Sequence, residues 1–274
     1  MRALNQPTSW WGWHWEPPTP MSITEILAAG NMSPGMAAMF WIGIERGASI
    51  IIAADPPASG KTTTLTALLS FTPPDTVVYF TSGVDETFAL PEPSPAYATY
   101  LLINEMSDHI PVYTWDENAR QAFDLMSNGY SLASTMHDND VAGVVRQLED
   151  DLRIPRSHIA NLTFIAPMHI GNREGTIRRM TEVAFLQPNG DDISIGRLAT
   201  WDETSDEFTL FPEDDAQQAY AEWAGLSVEE MTVEIDRREE FLRGLMDSQT
   251  VDISDVNEAV EEFYREPNRP TGEG

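Results

Sequence analysis

The sequence predicts an α/β domain with a mostly parallel sheet, an antiparallel extension and a C-terminal helical segment. Three observations lead there. Between residues 48 and 152, short apolar runs such as Ile50-Ile51-Ile52-Ala53-Ala54 alternate with amphipathic stretches, the pattern of buried parallel strands joined by helices. From Asn161 the segments become strand-like and are separated by turn signals at Gly171–Gly175 and Asn189-Gly190. Beyond Phe211 the chain turns helical and acidic, residues 201–274 holding 22 of its 44 carboxylates.

Each element has a local reason. Residues 1–20 hold Trp10, Trp11, Trp13 and Trp15 followed by Pro17, Pro18 and Pro20, fit no helical or alternating period, and are expected to form an arm or linker docked on a surface. Ser22 and Glu25 make a capping box for a helix ending at Gly30. Ser33-Pro34 is an N-cap and N1 pair that opens an apolar helix to Arg46, which Gly47 stops. A strand over Ala48–Ala54 leads into a helix over Gly60–Ser70; further strands are expected at Thr76–Thr81, Ala98–Asn104 and Tyr130–Thr135. Thr114 or Asp116 caps a helix ending near Gly129. Asp140 caps another, whose Val141, Val144, Val145, Leu148 and Leu152 share one face. Strands are expected over 161–168, 176–186 and 193–201, and helices over 213–224, 228–246 and 254–265. The domain plan is thus an arm (1–20), a core (21–211), an acidic helical subdomain (212–266) and a disordered Pro/Gly-rich tail (267–274).

Composition narrows the function. Forty-four acidic against 16 basic residues give a formal charge of −28 in 274 residues, which argues against direct binding of nucleic acid or an anionic membrane. Cysteine is absent, excluding disulfides, thiolate metal sites and a cysteine nucleophile. No apolar run is long enough to span a bilayer and no secretory leader pattern opens the chain, so a cytoplasmic protein is expected. Of the 16 basic residues 15 are arginine; the single lysine is Lys61, in Ser59-Gly60-Lys61-Thr62. A compact ammonium reaches between phosphate oxygens where a planar guanidinium does not substitute for it.

That lysine lies in Asp55-Pro56-Pro57-Ala58-Ser59-Gly60-Lys61-Thr62-Thr63-Thr64, between an apolar strand and a helix, the setting a P-loop requires. Ala58, Ser59, Gly60, Lys61, Thr62 and Thr63 are the candidate nucleotide-binding residues: backbone N–H donors at a helix N-terminus, an ammonium for the β/γ-phosphates and, in Thr62, a hydroxyl for Mg²⁺. ATP and Mg²⁺ are the expected ligands. The usual first glycine is Asp55, and Pro56 and Pro57 have no N–H to give. Tyr100–Glu105 reads as an apolar strand beside the P-loop strand, ending in a carboxylate able to orient Mg²⁺ or polarise water. His137 follows the strand Tyr130–Thr135, at the sheet edge where ligands of such folds bind. Glu105 and His137 are therefore catalytic candidates, Glu105 also a metal candidate with Thr62.

In order and spacing these segments resemble the type II/type IV secretion ATPase superfamily of pilus, archaellum and DNA-transfer motors, especially its archaeal and tight-adherence branches. The likeness starts around Glu16–Pro20 and spans most of the chain. Asn31–Ala38 is similar to the helix before the P-loop, Ala58–Leu65 to Walker A, and Phe71–Asp75 to the turn that follows. Asn104-Glu105-Met106-Ser107-Asp108 stands where a Gly-Glu-x-Arg-Asp/Gly Walker B is expected, Ser134–Asp140 resembles the histidine box, Arg178–Val183 the next strand, and Glu239–Pro267 the archaeal helical tail. The resemblance implies a RecA-like P-loop core, ATP and Mg²⁺ as cofactors, a homo-hexamer or co-assembly with a related motor, and a membrane platform partner holding the protein at the inner face of the membrane.

There are departures. On this likeness only the Trp-rich arm precedes the core, where the family carries a domain that helps enclose ATP. The family's aspartate box falls on Thr81-Ser82-Gly83, with Asp85 and Glu86 as nearest carboxylates, so Glu86 is a stand-in catalytic candidate. No arginine occurs between Arg46 and Arg120; Arg120 or Arg146 would have to replace the missing arginine segment. A hydrolysing motor subunit is the first expectation, and a catalytically degenerate nucleotide-binding paralogue that regulates or co-assembles with a full-length motor is the alternative.

Overall fold

Alternate residues of each central strand feed different cores. On one face Ile50, Ile52, Val78, Tyr100, Leu102, Ala133 and Phe164 belong to one buried cluster; on the other Ile51, Ala53, Tyr79, Leu101, Ile103, Leu132 and Ile165 belong to a second. A strand buried on both faces reads as an uninterrupted apolar run, which is why Ile50–Ala53 is wholly aliphatic. The computed structural model describes residues 1–6, 10, 20–172, 175–190 and 192–265. The Trp11, Trp13 and Trp15 positions and the 267–274 tail lie outside them.

The strands are β1 (Arg2–Ala3), β2 (Ile50–Ala53), β3 (Val77–Phe80), β4 (Thr99–Met106), β5 (Ser131–Met136), β6 (Phe164–Asn172), β7 (Thr176–Met180), β8 (Glu182–Asn189), β9 (Asp192–Asp202) and β10 (Glu207–Leu210). Among the described residues they form one sheet of order β1-β3-β4-β5-β2-β6-β8-β9-β10, with β7 paired to β6 off this path. Pairings from β1 to β6 are parallel; those of β6 with β7 and β8, β8 with β9, and β9 with β10 are antiparallel. The mostly parallel core and antiparallel extension are as expected, and helices join the parallel strands except between β3 and β4, where the connection holds a 3₁₀ turn at Gly83–Asp85.

The helices are α1 (Ile23–Ala28), α2 (Pro34–Glu45), α3 (Lys61–Leu68), α4 (Asp116–Ser127), α5 (Val141–Arg146), α6 (Arg156–Ile159), α7 (Asp214–Trp223), α8 (Val228–Asp247) and α9 (Ile253–Arg265). The capping boxes of α1 (Ser22, Glu25) and α8 (Ser227, Glu230), the Ser33 cap of α2 and the Asp140 cap of α5 are all formed. For α4 the N-cap is Trp115, with no side-chain cap, rather than Thr114 or Asp116. The Thr114 hydroxyl is instead bonded to that of Thr81 at 2.9 Å.

One face of the sheet is covered by α1, α2, α3 and the three C-terminal helices; α4, α5 and α6 cover the other. Residues Gly35–Ile44 of α2 are all buried, so the helix is apolar all round. Trp41 stacks on Phe71 with ring centroids 4.6 Å apart and donates its Nε1–H to the Tyr264 hydroxyl at 2.9 Å. Tyr220, Met231, Leu242, Val256 and Phe263 join the same core. The acidic helices therefore share an apolar seam with the sheet domain, with Glu234 of α8 buried in it beside Arg238. In the N-terminal arm Trp10 is buried against Phe80 with its indole N–H on Thr66 Oγ1, while Arg2 and Ala3 form a strand not expected there, paired in parallel with Val77 and Val78.

Candidate functional site

The carboxyl ends of β2, β4 and β5 converge on a cavity of about 980 Å³. The chain leaves β2 at Ala53, passes Asp55-Pro56-Pro57 and enters α3 at Lys61. Two residues turn it: Ala58 (φ 59°) and Gly60 (φ 92°), both in the left-handed region. Gly60 is required there twice over, since a Cβ would sit in strained backbone and 3.0 Å from Arg178 Cδ. The first amide of α3 to find a main-chain acceptor is that of Thr64, which bonds Gly60 O at 2.8 Å. Among the described residues the amides of Ala58 through Thr63 have no acceptor, and all six residues line the cavity. Orphan donors at a helix N-terminus attract anions. The buried hydroxyl of Ser59 is also unpartnered.

Lys61 is buried, with 6% of its surface exposed, and its Nζ donates to Ala54 O at 2.9 Å. Burial pushes its ammonium below the ordinary lysine pKa, against the opposing pull of Glu105 and Asp55. A desolvated cation with one backbone acceptor suits an incoming anion.

Glu105 reaches the cavity through a β-bulge. Ile103 pairs with Ser134 but Met106 with Met136, so Asn104 and Glu105 together face Thr135. The extra residue shifts the alternation: Met106 enters the core of Leu101 and Ile103, and Glu105 is released toward the sheet edge. Its Oε1 accepts from Ser107 Oγ at 2.7 Å and lies 3.1 Å from His137 Nε2. Burial alone would raise the Glu105 pKa. Hydrogen bonds from His137 and Ser107, with the charges of His137 and Lys61, outweigh it and hold the carboxyl below its usual range. His137 is raised, chiefly by its bond to Glu105, against burial and Lys61. Its Nδ1 lies 2.8 Å from Asp55 O, so β5 ties the start of the P-loop to the end of β4.

Three sequence expectations change. The strand of Glu105 is not beside the P-loop strand; β5 lies between β2 and β4, which is why His137 spans the gap. Glu86 is not brought to the cavity. Its carboxylate instead accepts from Tyr79 Oη and from the amides of Ser82, Thr87 and Phe88, holding a loop in place. Arg120 is engaged by Asp116, Glu117 and Leu152 O, and neither it nor Arg146 lines the cavity.

Among the described residues the arginine that lines the cavity is Arg178, on β7. Its Nη2 donates to Ala58 O at 3.1 Å and its stem crosses Gly60. The adjacent Arg179 faces elsewhere, held by both carboxylate oxygens of Asp206 at 2.8 and 2.9 Å. No local pattern marks Arg178, because the β6–β7 hairpin delivers it from 120 residues away in the chain. Asn31 was also missed as a site residue: it lines the cavity, its amide donates to Thr64 Oγ1 at 3.1 Å, and its buried Oδ1 has no hydrogen bond.

No protein-family model matches the chain. The uncharacterized protein MJ1287 of Methanocaldococcus jannaschii is 26% identical over 253 residues, covering 81% of this chain and 90% of that protein. The uncharacterized protein MJ0900 of the same organism is 22% identical over 274 residues, covering 89% of this chain and 49% of its own length. Among solved structures, the VirB11 ATPase of the Brucella suis type IV secretion system aligns with a TM-score of 0.41 at 17% identity, over 62% of this chain and 57% of that one. The Legionella pneumophila ATPase DotB aligns with a TM-score of 0.36 at 14% identity, over 90% and 58%. The chain thus spans about half of MJ0900 and under three-fifths of each solved chain. Both solved neighbours are named as ATPases.

Proposed function

We propose that this chain binds ATP·Mg²⁺ in the cavity and hydrolyses it as a subunit of a secretion or type IV pilus-like assembly machine. One observation carries the nucleotide reading: six consecutive residues, Ala58 to Thr63, present unbonded amides to a cavity that also holds a buried ammonium. The residues fit the group. The amides and Lys61 would hold the β- and γ-phosphates, and the Thr62 hydroxyl with Glu105 would hold Mg²⁺, which neutralises charge on those phosphates when bound. The Asn31 Oδ1 offers a further acceptor to a ligand hydroxyl or amine. Glu105, held as a carboxylate by His137 and Ser107, is placed to orient a water or the metal, and Arg178 supplies the cis cation at the mouth. Assembly into a hexamer or with a related motor, and attachment to a membrane platform, extend the motif resemblance. Among the described residues no helix is long and apolar enough to cross a membrane.

A specific observation favours the alternative, a nucleotide-binding paralogue without turnover. Glu86, the nearest stand-in for the family's aspartate box, is locked into its own loop, leaving Asp55 and Glu105 as the carboxylate residues that line the cavity among the described residues.

Equilibrium binding of a fluorescent ATP analogue with Mg²⁺, together with phosphate release, on the wild type and Lys61→Ala separates them. The motor predicts wild-type binding with turnover and both lost in the variant, binding weakening about 10- to 100-fold for one charge-assisted contact. Binding without turnover selects the paralogue. No wild-type binding rejects both.

A further inference from the structure

Beside the phosphate-facing loop stands a second ligand set, which shares Glu105 with the nucleotide proposal and adds two imidazoles to it. Glu105, His109 and His137 each offer a donor atom, and the three lie within 4.8 Å of one another. Glu105 Oε1 is 3.1 Å from His137 Nε2 and 3.6 Å from His109 Nδ1. Ligands at 2.0–2.2 Å around a tetrahedral Zn²⁺ are about 3.3 Å apart, so these separations bracket what one such ion needs.

The surroundings are those of a built site. His137 Nδ1 is committed to Asp55 O, which fixes the ring and turns Nε2 toward Glu105. Ser107 Oγ orients the carboxylate from the other side. His109 sits in the segment after β4 with its side chain 58% exposed, free to close on an ion, its ring centroid 5.1 Å from that of His137. All three line the cavity, so an ion held by them keeps an open position toward it. Two imidazoles and one carboxylate suit Zn²⁺, Co²⁺ or Ni²⁺ rather than Mg²⁺, which takes oxygen ligands.

The geometry points to a transition-metal site of His₂Glu type, formed by Glu105, His109 and His137, at which Zn²⁺ binds in the absence of nucleotide. Its consequence rests on the nucleotide proposal: an ion held there takes the carboxylate and imidazole assigned to turnover, so Zn²⁺ inhibits hydrolysis.

The test uses the full chain, stripped with a chelator and free of nucleotide. Calorimetric titration with Zn²⁺ is expected to show one equivalent bound, and Co²⁺ to develop the visible absorption of a four- or five-coordinate ion. Loss of an outer-shell partner typically costs 10- to 100-fold in metal affinity, so His109→Ala, which removes a ligand, is expected to weaken Zn²⁺ at least about tenfold. His158→Ala serves as the control. That histidine is paired with Asp124 at 2.9 Å outside the cavity, and Zn²⁺ uptake is expected to be unchanged. Absence of stoichiometric uptake, or uptake indifferent to His109→Ala, overturns the site. Because no nucleotide is present, that failure is distinct from failure of ATP binding.

Discussion

At the scale of single residues, charge placement decides the chemistry. A chain with 15 arginines and one lysine buries that lysine at a helix N-terminus, where its ammonium donates to Ala54 O in a loop whose six amides from Ala58 to Thr63 are unbonded among the described residues. Arg178 approaches from outside, over Gly60. Arg178→Ala is expected to weaken ATP binding about 10- to 100-fold without altering the melting temperature, because its hydrogen bond to Ala58 O is exposed. An unchanged affinity would remove Arg178 from the site. The sequence exposed the residues whose role is set by near neighbours: Ser59 to Thr63 stand in a motif, and Glu105 and His137 each follow an apolar strand. It did not expose Arg178 or Asn31, which reach the cavity through tertiary contacts with no local pattern. Glu86 shows the converse. Proximity in sequence to the missing aspartate box suggested a catalytic carboxylate, whereas the fold uses it to collect the tyrosine hydroxyl and three amides of its own loop.

At the scale of elements, position in the sheet matters more than strand identity. Inserting β5 between β2 and β4 places His137 between the P-loop and Glu105, and the bulge at Asn104-Glu105 frees the carboxylate from the core. Caps and apolar runs make the helices and the parallel strands legible. The order in which strands lie side by side is not, since it depends on long-range pairing; hence sequence alone puts Glu105 one strand too close to the P-loop strand. The two-residue strand Arg2–Ala3 carries no alternation at all and exists because β3 offers it an edge. The loop after β3 is equally determined by packing. Gly83 has φ 63°, and a Cβ there would lie 2.1 Å from Pro111 O. Gly83→Ala is therefore expected to destabilise the fold by several kcal/mol, on the order of 2–4, since both backbone strain and a main-chain clash must be relieved. Urea denaturation checks it; a midpoint shift equivalent to less than about 0.5 kcal/mol, the range of neutral surface changes, would contradict the packing described.

At the scale of the whole molecule, one buried cluster joins the helical end to the sheet domain. Arg238 of α8, 2% exposed, bonds Glu234 on its own helix and reaches Glu45 at the end of α2 at 2.6 Å. Its guanidinium lies over the rings of Trp41 and Phe263 at 5.6 and 5.4 Å. Breaking a buried ion pair leaves an uncompensated charge, so Arg238→Ala is expected to cost about 3–5 kcal/mol. Replacing the triad together by Leu at Glu45 and Glu234 and Met at Arg238 is expected to recover most of that, because no carboxylate is then left desolvated without its guanidinium. Chemical denaturation of both variants decides between a stabilising pair and one that chiefly fixes how α8 sits on α2. The seam also bears on function: α2 and α8 cover the face of the sheet that carries α3, so the nucleotide-facing helix and the acidic helices share one core.

The most direct measurement is at the amides themselves. In a ¹⁵N-labelled sample titrated with ATP and Mg²⁺, the resonances of Ser59, Gly60, Lys61, Thr62 and Thr63 are expected to shift together and saturably, as free donors acquire phosphate acceptors. Resonances that stay in place at saturating nucleotide would show that these donors grip no triphosphate, and the energy-transducing role would fall with them.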